Sequence, residues 1–345
     1  MKTEIFGTFG PACASKAVMK KMIEAGMTGM RLNLSHTTLT ESEVYIKNYQ
    51  EAANTCGVKP QILIDMKGPE LRVGKMLEPL HLEEGMTNLF LDVQENYDLS
   101  GKAVNILPVP QEVLETLVEG DQLLLDDGKI LLKTGAKSET NQIEVEVLRG
   151  GVLHGGKSIK VVNKQVVMPP LTPHDIENIK QAKDYGVTAL MQPFVLNGED
   201  LQYVREVLNE HGAEMVQIFA KIENRIGVEN LESILPKADV IVIARGDLGN
   251  DMPLWELPRI QKQIEHTCQK YNKPYIVVTQ MLASMEEYPV PTRAEVSDIY
   301  HAVYHGAWGV MLTGETAVGK YPVEAVRYLT NTAAQASMRL ENMDL

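Results

Sequence analysis

Short, almost wholly apolar runs alternate along most of the chain with longer stretches in which apolar residues recur at helical spacing. The short runs are Thr3–Phe9, Met27–Asn33, Pro60–Met66, Thr188–Gln192, Met215–Lys221, Val240–Ala244, Tyr275–Thr279 and Gly309–Leu312. Unbroken apolarity over so few residues suits parallel strands that are covered on both faces. The longer stretches predict helices. The first starts at Ser15, a hydroxyl residue suited to an N-cap, and runs through Met22 to Gly26, a natural C-cap. Others are predicted at Thr40–Thr55, Pro173–Tyr185, Gly198–His211, Gly227–Leu235, Glu256–Tyr271, Thr292–Gly306 and Val323–Met343.

The segment from Gly68 to about Gly156 has a different texture. Helical periodicity fades, and short β runs (Asn88–Leu91, Gln122–Leu125, Ile130–Thr134, Ile143–Leu148) are separated by turn residues, among them the hairpin signal Asp126-Asp127-Gly128. Eight β/α units interrupted by such a segment predict an α/β fold, a (β/α)8 TIM barrel with a small all-β lid domain inserted after strand 3. The barrel is assigned to 1–67 and 157–345, and the lid to 68–156. A doubly wound sheet fits less well, because no G-x-G-x-x-G opens the first βα turn. The chain's 345 residues suit two domains, or one large barrel with an insertion.

Composition narrows the class of protein. Hydrophobic residues make up 44% and charged residues 23%, as in ordinary globular domains. Lys and Arg number 33 against 46 Asp and Glu, a net charge of −13. Overall charge therefore argues against nucleic-acid or anionic-membrane partners, and any anionic ligand must be met by a few local cations, backbone amides or a metal. Cys13, Cys56 and Cys268 form no C-x-x-C pair, so neither a disulfide framework nor a zinc site is expected. With no apolar signal segment at the start and no membrane-length apolar run, a soluble cytoplasmic protein is the default expectation.

In a barrel, chemistry sits just beyond the carboxyl ends of the strands. Those positions hold Arg31, Asn33, Ser35 and His36; Asp65 and Lys67, followed by Glu70 and Arg72; Lys221, Glu223 and Asn224; Arg245, Gly246 and Asp247; Thr279 and Gln280; and Thr313, Glu315 and Thr316. Any one of them could be a structural cap: Glu223 a partner for Arg225, Asp247 a helix N-cap, His36 a loop histidine. Gathered on six of eight strand ends, they favour an active site. Period-2 spacing puts Lys221 with Glu223, Asp65 with Lys67, and Arg245 with Asp247 on common faces. Glu223 and Asp247 could offer carboxylate oxygens to Mg²⁺, which takes one or two carboxylates. Lys221 and Arg72 could neutralise a transferring phosphoryl group, and the amides of Gly246 and Asp247 could receive a carboxylate.

Taken in order, TEIFGTFGPAC, AGMTGMRLNLSH, ILIDMKGPELRVG, LLDDGKI, FAKIENRIGVEN, ADVIVIARGDLG, VVTQMLASM, PTRAEVSD and GVMLTGETAVGKYPVEAVRYL resemble the pyruvate kinase family over nearly the whole chain. The resemblance implies a (β/α)8 barrel with a β lid after strand three. It also implies phosphoryl transfer from phosphoenolpyruvate to ADP, giving pyruvate and ATP in glycolysis. It implies that Arg31 contacts the substrate phosphate and that Arg72 and Lys221 serve the transferring group. Glu223 and Asp247 would hold Mg²⁺ or Mn²⁺, and the amides of Gly246 and Asp247 the substrate carboxylate. Thr279 would stand beside the enolate carbon that is protonated. Asn33, Ser35, Asp65 and the backbone carbonyl of Met66 would hold K⁺, with Glu70 of the type found in K⁺-dependent members. His36, Pro11, Arg72 and Lys157 would lie near the nucleotide.

The sequence departs from the family's pattern at GKSIKVVNKQVVMPP, at QPFV after strand four and at ARGDLGNDMPLWE; Met66 stands where Thr is commoner, and Thr313 where Ser is. Family members normally carry a further α/β domain after the barrel that these residues lack, so a homodimer through the barrel, or a monomer, is expected. Two other readings share the same metal site: a Mg²⁺-dependent lyase or other enolate enzyme acting on pyruvate or a related keto acid, and a non-catalytic, metabolite-binding regulatory member.

Overall fold

The computed structural model describes residues 3–35, 37–97, 105–126, 128–162, 164 and 166–341, with the backbone alone for 339–341. The chain divides into two compact units, one of Met1–Gly68 with Pro170–Leu345, the other of Pro69–Pro169.

Among the described residues of the first unit, eight strands form a closed, all-parallel barrel: β1 (Glu4–Thr8), β2 (Gly29–Asn33), β3 (Gln61–Asp65), β4 (Ala189–Gln192), β5 (Gln217–Ile222), β6 (Val240–Ala244), β7 (Tyr275–Val278) and β8 (Gly309–Met311). Each strand pairs with its neighbours in sequence order, and β1 closes on β8 through Glu4–Gly309, Ile5–Val310 and Phe6–Met311. Alternation along the strands sorts two cores. Phe6, Leu63, Met191, Phe219, Val242, Ile276, Val278 and Met311 fill the barrel interior, where Phe6, Phe219 and Trp308 meet at ring separations of 6.0–6.5 Å. Their neighbours in sequence, such as Ile5, Ile62, Ile64, Ile218, Ala220, Ile241 and Val277, pack outward among the helices. Val240–Ala244 is buried at all five positions, which is why it reads as a continuous apolar run.

Local chemistry starts the helices. Ser15 accepts from Val18 N and opens the helix Lys16–Glu24, and Gly26 leaves it at φ 114°. Thr172 with Asp175, Asn197 with Asp200 and Thr292 with Glu295 form reciprocal capping boxes. Each box satisfies N–H groups that a helix start otherwise leaves unpaired. The region predicted as one helix, Gly227–Leu235, forms two short pieces, Arg225–Glu229 and Leu231–Ile234. No helix of the described residues is long and apolar enough to cross a membrane.

The second unit is mostly sheet. Six strands lie in the order Ile159–Val161, Gln122–Leu125, Ile130–Lys137, Ile143–Arg149, Leu89–Val93, Ile106–Val109, and Leu80–Leu82 pairs separately with Gly151–Leu153. It also contains a short helix, Gln111–Thr116, where an all-β insertion was expected. Its own core includes Leu91, Leu107, Leu123, Leu132 and Val145. The inserted unit runs to Pro169, beyond the Gly156 expected from the sequence. Ile159–Val161 pairs antiparallel with Gln122–Leu125, and Arg72 bridges to Ser158, so Lys157 belongs to the insertion and not to the barrel.

Candidate active site at the carboxyl ends of the barrel strands

Strand geometry selects the residues that face the barrel axis. Leu63 and Phe219 belong to the interior core, so period 2 turns Asp65 on β3, and Lys221 on β5 with Glu223 just past it, to the same side. The three meet there. Lys221 Nζ is 3.3 Å from Asp65 Oδ1 and 3.3 Å from Glu223 Oε2. Arg31, two residues before the end of β2, donates to Asp65 Oδ2 from Nε at 2.8 Å and approaches it with Nη2 at 2.6 Å. One carboxylate thus holds a lysine and an arginine, one on each oxygen.

Burial makes this arrangement electrostatically decisive. Asp65 and Glu223 are each 2% exposed. Burial alone would raise the Asp65 carboxyl, but Lys221 and then Arg31 outweigh it and hold the group below the ordinary aspartate range. Burial alone would lower the Lys221 ammonium; Asp65 and Glu223 reverse this and keep it above the ordinary lysine range. Glu223, unlike Asp65, is raised as well. Burial raises it, Lys221 opposes, and the charges of Asp247 and Asp65 add to the rise, leaving it at about 7. Glu223 Oε1 accepts from Phe194 N at 2.7 Å, whereas Oε2 has no hydrogen-bond donor among the described residues. Phe194 sits at φ 53°, so the turn after β4 adopts a left-handed conformation where it delivers its amide to Glu223.

A buried carboxylate oxygen that accepts no hydrogen bond and meets only the Lys221 ammonium at 3.3 Å, near a second carboxylate at Asp247 on the adjoining β6 end, is an environment a divalent cation suits. The donor set fits Mg²⁺, which takes few protein ligands; no group of three or more His, Cys, Asp and Glu suited to a metal occurs among the described residues. For a monovalent cation, the β2–β3 ladder sets Asn33 opposite Asp65. Asn33 Oδ1 accepts from Ser35 N at 3.1 Å, and Met66 N donates to Met191 O. Amide, hydroxyl, carboxylate and carbonyl oxygens are the donors such a cation takes.

Other expectations resolve individually. Arg245 and Asp247 do not share a strand face, because the chain leaves β6 directly into the helix Arg245–Asp251, with exposed Asp247 in its first turn rather than at its N-cap. Arg225 contacts Glu256, not Glu223. Glu315 is structural: its oxygens accept from Leu282 N at 2.9 Å and Thr313 N at 2.7 Å. Thr279 and Gln280 both lie at positive φ, 76° and 55°. A β-carbon placed on Gly246 would lie 3.0 Å from Thr279 Cγ2, so Thr279 packs over the Gly246 backbone. Pro11 is exposed in a short 3₁₀ turn after β1. His36 and Asp127 lie outside the described residues.

In the inserted unit, Arg72 forms a two-pronged pair with Glu70, Nε–Oε2 2.6 Å and Nη2–Oε1 2.9 Å, and its Nη1 donates to Gly156 O. Lys157 pairs with Asp126 at 2.9 Å, and Asp126 is held in a left-handed turn at φ 48°. Sequence reasoning assigned no role to Asp298, although it closes the PTRAEVSD motif, and missed the roles of Arg245 and Asp175. Asp175 is fully buried and accepts from Lys67 N, Gly68 N, Thr172 N and Thr172 Oγ1. Only its place in the Thr-x-x-Asp capping box pointed to it.

Fold and site together define a (β/α)8-barrel protein whose mouth joins two buried carboxylates to a lysine and an arginine. Residues 1–326 match the family described as pyruvate kinase, barrel domain. The chain is similar to the pyruvate kinase of Geobacillus stearothermophilus, 39% identical over 346 residues, covering 100% of this chain and 58% of that protein. It is also similar to that of Bacillus licheniformis, 38% identical over 343 residues, covering 99% and 58%. A crystal structure of a pyruvate kinase from Cryptosporidium parvum superposes with a TM-score of 0.87 at 30% identity, over 98% of this chain and 70% of that one. The chain belongs to the pyruvate kinase family. It spans about three-fifths of the length of those two bacterial relatives.

Proposed function

We propose that the protein transfers a phosphoryl group from phosphoenolpyruvate to ADP, giving pyruvate and ATP. The observation that carries this reading is the buried Arg31–Asp65–Lys221–Glu223 cluster. A phosphoryl group in flight is loosely bonded and highly anionic, so catalysis is mainly positioning and charge neutralisation. Asp65 fixes two cations with a single negative charge, so the Arg31–Asp65–Lys221 trio keeps a net positive charge. Lys221, held protonated by its neighbours, meets the transferring group, and Arg31 meets the substrate phosphate. Being fixed before substrate arrives, these charges need little reorganisation during the reaction.

Glu223 and Asp247 would hold Mg²⁺, and Asn33, Ser35, Asp65 and the Met66 carbonyl K⁺. A bound divalent ion would supply positive charge to the oxygens of the substrate. The amides of Gly246 and Asp247 would receive its carboxylate, and Thr279 would stand beside the carbon that takes up the proton. Arg72 and Lys157, with Pro11 and His36, are assigned to the nucleotide and its phosphates on the family resemblance. Pyruvate formation from phosphoenolpyruvate and ADP, with Mg²⁺ and K⁺ present, tests the proposal. Wild-type protein should form pyruvate only with ADP, and Lys221→Met should abolish it. ADP-dependent pyruvate no greater than in Lys221→Met would overturn the proposal.

A further inference from the structure

Thr279 is a β-branched residue at φ 76°, and Gln280 follows at φ 55°. Positive φ is a genuine outlier for a β-branched side chain, and it persists only where the surroundings over-determine it. It also changes where Thr279 goes. Val277 faces outward and Val278 inward, so simple alternation would send Thr279 out among the helices. Instead its methyl packs above Gly246, at the start of the helix that leaves β6.

One side chain grips this turn. Arg245 donates to Thr279 O from Nη2 at 2.7 Å and from Nε at 3.2 Å, and its Nη2 also reaches Gln280 O at 3.4 Å and Met281 Sδ at 3.0 Å. Its Nη1 bonds Asp298 Oδ2 at 2.6 Å, on the helix Arg293–Tyr304, and its side chain is only 12% exposed. The planar guanidinium is therefore fixed at both ends, by a carboxylate on one side and by strained backbone carbonyls on the other. Neighbouring Gly246 supplies the surface on which the Thr279 side chain rests.

We propose that Arg245, braced by Asp298, is a positioning residue. It holds the Thr279–Gln280 turn in its left-handed conformation and so aims the Thr279 hydroxyl at the reacting carbon. The inference deepens the function proposed above and rests on it for the identity of the reaction. The contact network itself is a property of the fold.

The test uses the full chain and the variants Arg245→Met, Arg245→Lys, Asp298→Asn and Thr279→Val. Misaiming a reactive group costs about tenfold to a hundredfold in turnover. Arg245→Met should therefore lower kcat by that order, with KM for phosphoenolpyruvate changed by less than about threefold. In a Thr279→Val background the same change should cost nothing further, because Arg245 acts through Thr279. Arg245→Lys, which keeps one donor for the carbonyl, should recover part of the loss. Losses that multiply in the double variant, or a raised KM with kcat intact, would overturn the inference. If Arg245→Met does not fold, Asp298→Asn loosens the same guanidinium from its other side and carries the test. If wild-type protein forms no pyruvate, the functional reading fails by itself, and crystal structures of wild type and Arg245→Met decide the positioning claim. A Thr279 that relaxes to negative φ in the variant supports it; an unchanged turn overturns it.

Discussion

Lys221 Nζ lies 3.3 Å from Glu223 Oε2, which stands just past the end of the same strand, and the surroundings they share raise both groups, for opposite reasons. The lysine is held above its ordinary range because two carboxylates flank it; the glutamate is raised to about 7 because burial and Asp247 outweigh that single cation. The pair therefore supplies a permanent positive charge beside a carboxylate that needs a second cation to ionise fully.

Removing Lys221 should cost stability as well as activity. Lys221→Met leaves Glu223 without its cation and Asp65 with Arg31 alone. Breaking a buried pair from one side costs about 3–5 kcal/mol. Retention of Arg31 on Asp65 places the expected loss at the lower end of that range. Denaturant unfolding of the two proteins measures it, and an unchanged midpoint would show that the pair is not buried in solution.

The role proposed for Glu223 as a divalent-ion ligand predicts a pH dependence of binding. A protonated carboxyl does not ligate, so affinity for Mg²⁺ or Mn²⁺ should rise with pH up to about 7 and level off above it. Calorimetric titration at about pH 6 and about pH 8 should show tighter binding at the higher pH, by up to roughly tenfold. Glu223→Gln should remove the dependence.

The same group gives a linkage sign for folding. Its carboxyl is raised in the folded state, so between the ordinary glutamate range and about 7 the folded protein binds more protons than the unfolded one. Its contribution to stability therefore falls as pH rises through that window. Asp65, lowered by Lys221 and Arg31 against its burial, contributes the opposite: stability present above the unfolded aspartate range and lost as pH falls through its folded value. Without metal, Glu223→Gln should be more stable than wild type near pH 8 and the gain should vanish near pH 5, as read from melting temperatures.

Asp175 should prove important well away from the charge cluster. It accepts the amides of Lys67 and Gly68, where the chain leaves the barrel unit, and that of Thr172, just after the chain returns. Asp175→Ala would leave three backbone donors without that acceptor, at a cost of about 3 kcal/mol. Hydrogen exchange should show lost protection at residues 67–68 and 172 ahead of the rest of the barrel.

Gly10 is fixed by space, not by backbone angle. A β-carbon there would lie 2.3 Å from Ala317 O, closer than any relaxation of a side chain could relieve. Gly10→Ala must push the end of β1 away from the short helix Gly314–Ala317, straining the Thr8 N to Thr316 Oγ1 bond of 2.7 Å. A destabilisation of about 1–3 kcal/mol is expected in denaturant unfolding.

The order and type of the barrel elements were legible in the sequence because they are local. Apolar runs such as Val240–Ala244 are buried along their length, and Ser15 and Gly26 mark helix ends by their own side-chain and backbone preferences. The Lys221–Glu223 relationship was legible too, since strand alternation carries two residues to the same face. The end of the insertion was not: Ile159–Val161 is too short a strand to signal itself, and its assignment depends on pairing with residues 34 or more positions earlier.

By itself, then, the sequence determined which strands form, their parallel order and which strand ends carry charge, because hydrophobic periodicity and capping act within a few residues. Tertiary structure alone decided which charges share a carboxylate, that Glu223 is raised while Asp65 is lowered, and that Arg245 turns back to grip the Thr279 carbonyl. These depend on burial and on partners from separate strands and helices. Arg31 and Lys221 stand 190 residues apart in the chain, yet converge on Asp65 only once the barrel closes.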